Sequence, residues 1–119
     1  ADLEQLFRRV VFNVLTAHRD DHLRNHGFLR SREGWRLSPA FDLNPVPTLA
    51  EHQLAIDDSN RAPDLDVVLG TASFYRLRSS EARVIADEVR EAIGGWREEA
   101  RVFELTGTDI DLLASALPA

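Results

Sequence analysis

The chain of 119 residues contains no cysteine, no methionine and no lysine, and no apolar run in it approaches the length of a membrane span. Without cysteine there is neither a disulfide frame nor a thiolate zinc site, which suits a reducing compartment. No basic-then-apolar leader is present, so a cytoplasmic location without membrane contact is expected. The absence of methionine, together with a helical pattern that starts almost at Ala1, reads as one domain over residues 1–119 cut from a longer chain. All fourteen basic residues are arginine. Any chemistry that sets a lysine ammonium among phosphate oxygens must therefore draw it from elsewhere. Clustered positive charge is also missing: the net charge is −6 and the pI about 5.1, so no direct nucleic-acid contact is expected.

What is present is enough for a modest core, with 44% hydrophobic residues. Leu3, Leu6, Phe7, Val10, Val11, Val14 and Leu15 recur at three- and four-residue steps, predicting a helix over 3–17 with Glu4, Arg8 and Arg9 off its buried face. Asp2 and Gln5 have the spacing of a capping box at its start. A polar loop runs from His18 to Gly27. Phe28-Leu29-Arg30 and Trp35-Arg36-Leu37 then read as strands joined by Ser31-Arg32-Glu33-Gly34, a hairpin signal. From Asn44 to Pro63 the chain is a long connection, with His52–Ile56 as a short strand and His52 and Asp57 as exposed loop residues. A helix is predicted over 64–77, with Leu65, Val68, Leu69, Ala72 and either Phe74 or Tyr75 inward. A longer one, capped by Ser79 or Ser80, covers 81–103 with a stripe of Ile85, Val89, Ala92, Ile93, Trp96, Ala100 and Phe103, and Gly94-Gly95 predicts a kink or a close helix contact in it. Thr108 is expected to open a last helix over 109–116. The fold class is mainly α, with a small β-hairpin beside the polar loop.

The loop holds more ionisable side chains than a surface turn needs. Asp20 is placed to accept or orient the proton of a hydroxyl, and Asn25 offers a neutral carbonyl oxygen to a divalent metal. Asp42, brought back by the hairpin, completes a set of three hard oxygen donors from two segments, the chemistry Mg²⁺ prefers. Taken alone, Asp42 reads equally as a turn-initiating residue. His22 fits a structural hydrogen bond to backbone or carboxylate better than a catalytic part.

His18, Arg19, Asp20 and Asn25 match the H-R-D-x-x-x-x-N loop of protein kinases letter for letter, with Asp42 as the later aspartate. More specifically, Phe12-Asn13-Val14-Leu15, the run from Asp20 to Leu29 and the run from Trp35 to Pro45 together resemble the C-terminal region of HipA-like toxin kinases. The likeness is detailed over the first third of the chain and holds in outline beyond. It implies a helical kinase-like C-terminal lobe that uses ATP and Mg²⁺, with Asp20 as catalytic base and Asn25 and Asp42 as metal and cofactor-binding residues. It further implies a serine/threonine kinase acting as the toxin of a bacterial toxin-antitoxin pair. Its partners would be its own N-terminal lobe, a protein substrate and a DNA-binding antitoxin. At His18-Arg19 this sequence departs from such toxins, which leaves packing beneath the loop as the other role for His18. Lacking the lobe that bears the lysine, the segment by itself is expected to be inactive and to self-associate through the surface left open. Two other readings compete: a metal-dependent hydrolase built on His18, Asp20, Asp21 and His22, and a non-catalytic helical interaction module.

Overall fold

In the computed structural model, which describes residues 1–57 and 60–118, helix α1 spans Asp2–Leu15 and carries the first half of the core. Its apolar period turns Phe7, Val11 and Val14 inward, and Phe7 and Val11 are completely buried. Asp2 lies inside the first turn and does not cap it. Instead its carboxylate accepts the Leu37 backbone N–H at 3.3 Å, fastening the start of the helix to the hairpin. Arg9 departs from expectation as well, being buried at 8% exposure.

α1 ends where Ala17 takes a left-handed conformation (φ 53°), and the N–H of His18 reaches back to the Asn13 carbonyl at 2.9 Å. After the polar loop, β1 (Phe28–Ser31) and β2 (Gly34–Leu37) pair antiparallel in the register Phe28 to Leu37 and Arg30 to Trp35. The Ser31 hydroxyl accepts the Glu33 N–H and donates to the Gly34 carbonyl, while Gly34 at φ 120° supplies a turn geometry that L side chains avoid. The hairpin is barely covered: Phe28, Leu29 and Trp35 are all more than half exposed.

The expected helix over 64–77 divides. α2 covers Leu65–Gly70, with the Asp64 side chain accepting the Asp66 N–H, and a 3-10 turn follows over Ala72–Tyr75. Gly70 costs roughly 1 kcal/mol of helix propensity relative to alanine, and the break falls directly after it. Tyr75, not Phe74, is the inward aromatic: its ring meets Phe7 edge to face at 5.2 Å, whereas Phe74 is exposed. No strand forms over 52–56. Its backbone groups bond across a loop, His52 N–H to the Arg61 carbonyl at 2.9 Å and Ile56 N–H to the Asn60 carbonyl at 2.6 Å.

α3 (Ser79–Gly94) packs Ala82, Ile85, Ala86, Val89 and Ile93 against α1 and α2, closing the core. Neither Ser79 nor Ser80 caps it. Glu81 accepts the Arg78 backbone N–H at 2.8 Å and the Arg78 guanidinium at 3.0 Å, which keeps the Glu81 carboxyl below its ordinary range. Gly94-Gly95 ends the helix outright. A separate α4 (Trp96–Val102) follows, and Phe103, expected inward, is left 76% exposed. α5 (Gly107–Ala114) is capped by Thr106 and not by Thr108: the Thr106 hydroxyl donates to the Asp109 carboxylate at 2.6 Å and accepts its N–H at 3.2 Å. The fold is thus mainly α with one small hairpin. Among the described residues no helix is long and apolar enough to cross a membrane.

Candidate functional site

The loop that leaves α1 is fixed by a second segment, and the bonds between them are specific. The Ala17 carbonyl accepts the Val46 N–H at 2.7 Å, and the Arg19 carbonyl accepts the Gln53 N–H at 3.0 Å. The Arg19 guanidinium donates to the Leu49 carbonyl and, more weakly at 3.4 Å, to that of Pro47. His18 is 2% exposed, and its Nδ1 lies 2.8 Å from the Asn44 carbonyl oxygen and 3.1 Å from the Asn44 amide nitrogen. A histidine packed beneath the loop is therefore what the chain uses to hold residues 17–19 against 44–53. The hairpin adds a third tie, since Ser38 N–H donates to the Gly27 carbonyl at 2.8 Å.

These ties carry the predicted site residues on neighbouring segments. Asp20 is exposed, and its Oδ1 lies 2.9 Å from His22 Nε2, the carboxylate partner expected for that histidine. Asn25 is half-buried at the end of a 3-10 turn over Leu23–Asn25, its N–H bonded to the His22 carbonyl at 2.9 Å. Asp42 is exposed and adopts a left-handed backbone at φ 55°, with Oδ1 accepting the Asn44 side-chain N–H at 3.2 Å. Through Asn44 the Asp42 segment is bonded to His18, two residues before Asp20. Among the described residues no hydrogen bond joins Asp20, Asn25 and Asp42 directly. A left-handed non-glycine residue costs about 1–3 kcal/mol and persists only where its surroundings over-determine it. Ala17 and Asp42 both carry that cost, one on each of the stitched segments.

The two adjacent aspartates have opposite surroundings. Asp21 is buried, accepting the Asn13 side-chain N–H at 3.2 Å and facing His26 Nε2 at 3.0 Å from each of its oxygens. This Asn13–Asp21–His26 network lines a cavity of about 350 Å³ together with Leu6, Val10 and His52. Sequence reasoning passed over it. The one available signal was Asn13, a polar residue placed among Val10, Val11 and Val14 on the buried face of α1. His52, expected to be exposed, is 3% exposed. Burial first, and the nearby Arg19 charge second, hold its imidazole below the ordinary 6.5.

This arrangement dissolves the hydrolase cluster. His18 faces Asn44, Asp20 faces His22, and Asp21 faces Asn13 and His26. Among the described residues no group of three or more His, Cys, Asp and Glu side chains is disposed to hold a metal ion. Asp20, Asn25 and Asp42 are a different kind of set, two carboxylates and one amide carbonyl, all reachable from solvent.

A family model described as the HipA-like C-terminal domain matches residues 1–96. The chain belongs to that family. No curated protein and no solved structure matches the chain. The match takes in α1, the stitched loop, the hairpin, α2 and α3 of this HipA-like domain, and stops at the residue that opens α4.

Proposed function

We propose that this HipA-like C-terminal domain is the catalytic-loop lobe of a serine/threonine protein kinase, the toxin of a bacterial toxin-antitoxin pair, which passes the terminal phosphoryl group of ATP to a protein hydroxyl. The observation that supports the reading is the stitching of residues 17–19 to residues 44–53, which bonds the residues just before Asp20 to those just after Asp42. Asp20 is the base: it takes the hydroxyl proton as the new oxygen–phosphorus bond forms and the bond to ADP breaks. Asn25 and Asp42 are hard oxygen donors of the kind Mg²⁺ accepts, and they would hold it here. Bound there, the ion would neutralise charge on the phosphates. Asn44 orients the Asp42 carboxylate, and His22 orients that of Asp20.

The lysine that such a site sets on the phosphates belongs to an N-terminal lobe, because this sequence has none. That lobe, a protein substrate and a DNA-binding antitoxin are the partners of the reading. Phosphoryl transfer by this domain joined to its N-terminal lobe should fall roughly 10²–10⁴-fold on Asp20→Asn. The domain alone should show no ATP turnover. Robust turnover by it alone would refute the division between two lobes, and undiminished transfer by Asp20→Asn would remove the base. If the joined protein transfers nothing, the interaction-module reading takes over.

A further inference from the structure

Charge is segregated along this chain, and each pole carries an exposed apolar surface. Residues 22–37 hold four arginines against one glutamate, a net of +3 in a chain whose net charge is −6. Residues 96–119 hold five acidic side chains against two arginines, a net of −3. In the hairpin, strand alternation sets Phe28, Arg30, Trp35 and Leu37 on one face, and Phe28 and Trp35 are 60% and 65% exposed. The Arg30 guanidinium lies over the Trp35 ring at 5.9 Å, and Arg36 meets Glu33 only at 3.9 Å. Among the described residues Arg24, Arg30 and Arg32 form no ion pair. The opposite pole is a groove of about 840 Å³ between α1, α3, α4 and α5, walled by Trp96, Phe103, Leu105 and Leu113. Glu99 lines it, and Glu104 stands between Phe103 and Leu105 in the chain. Glu99, Glu104 and Asp111 likewise form no ion pair among the described residues.

Contiguous exposed apolar surface marks a contact site, and each pole has the charge that the other lacks. The hairpin cannot fill its own groove. Gln5, Arg8, Phe12 and Thr16 of α1 line the groove, whereas Leu6 and Val10, on a different face of that helix, line the cavity bordered by Phe28 and Leu37. A complement to either surface must come from another molecule, and an identical chain carries the complement of both. We propose that copies of this chain associate head to tail, the aromatic face of one hairpin seated in the groove of the next copy. Trp35 then sits among Phe103, Leu105 and Leu113, while Arg30 and Arg32 face Glu99 and Glu104. A large aromatic side chain in an apolar groove supplies the binding energy, and the arginines select the acidic rim. Because two different patches meet, the contact closes as a ring or grows as a chain. The inference stands on these two surfaces and does not depend on the kinase reading.

Sedimentation equilibrium of the unmodified chain tests it. The mass should rise with concentration through the micromolar range, and added salt should weaken the association several-fold, because the paired charges lie at a solvated rim and are screened. Trp35→Ala should weaken it roughly tenfold or more. Two double variants decide the pairing: Arg30→Glu with Arg32→Glu on the hairpin, and Glu99→Arg with Glu104→Arg on the groove. Each alone should sediment as a monomer. An equimolar mixture of the two should associate again, since the intact hairpin of one meets the intact groove of the other and the two reversed surfaces also match. A monomer at every concentration overturns the inference, as does association unmoved by salt or by Trp35→Ala. So does self-association of either double variant, or a mixture of the folded variants that stays monomeric. Should a double variant fail to fold, the unmodified chain and Trp35→Ala still decide the claim.

Discussion

The two ends of the molecule are held by different physics. From α1 through the stitched loop to α3, the chain is fixed by contacts between residues far apart in sequence: Phe7 on Tyr75, His18 on Asn44, Arg9 on Ser38, Asn13 on Asp21. In α4 and α5 the bonds are mostly local, such as the Thr106 cap, the Arg101–Glu98 pair at 3.2 Å and the stacking of Arg97 on Trp96 at 4.4 Å. α5 buries no residue, and Val102, Phe103 and Leu112 stand exposed. Among the described residues, the one long-range side-chain hydrogen bond at this end runs from Trp96 Nε1–H to the Pro118 carbonyl at 2.8 Å. Ala100 is the only α4 residue that becomes buried, and the family match ends where α4 begins. The lesson is that helices form at both ends from sequence, but only the first end converts its helices into a core that positions side chains.

Substitutions can break that contrast, beginning with the largest effect. Phe7→Ala removes a completely buried ring from the joint of α1, α3 and Tyr75, and should cost about 3–5 kcal/mol in denaturant unfolding. A cost below that of an exposed substitution would mean the core is not where α1 and α3 meet. Asp21→Ala comes next. It strips the acceptor from Asn13 and His26, and each buried donor left unpaired costs roughly 1–3 kcal/mol. Asp20→Ala, at the exposed neighbour, should change stability by no more than about 0.5 kcal/mol. Equal effects at the two positions would erase the distinction between them.

Thr106→Ala samples the other end. Losing the cap should cost about 1 kcal/mol, and amide exchange should quicken in α5 while α1 and α3 stay protected. Quickening that spreads into α1 would show the two ends to be one cooperative unit. The smallest effect is one of pH. His52 is held below its ordinary 6.5 by burial, so the unfolded chain takes up a proton more readily than the folded one. Stability from neutral His52 is complete above about pH 6.5 and drains away as pH falls below it. His52→Gln should flatten the part of the stability profile between pH 7 and pH 5 that His52 contributes; an unchanged slope would assign the pH response to other groups.

Much of this was legible in the letters. α1, both strands and their turn, and the buried Ile85, Val89 and Ile93 of α3 follow from periodicity and from the special backbone of Gly34, which are local properties, whereas Ala92, read into the same stripe, is exposed. So does the family, since the runs around Asp20, Asn25 and Asp42 that carry the resemblance all lie within the matched residues 1–96. The failures share a cause. Asp2 was read as a cap and instead binds Leu37; His52 and Arg9 were read as exposed and are buried; Gly94-Gly95 was read as a kink or a close helix contact and is an end. Each depends on what a distant segment brings, or on whether packing on the far side repays the glycine pair.

Composition and order alone determined a helical domain with one hairpin, a polar loop rich in hydrogen-bonding groups, and a basic set made entirely of arginine. Tertiary structure alone decided which of two adjacent aspartates faces water, which histidine is buried under the loop, and which arginine is buried. Periodicity acts over a few residues and can be read along the chain. Partnership between charges and hydrogen-bonding groups is settled in space, where residues 18 and 44, or 9 and 38, become neighbours only after the core has closed.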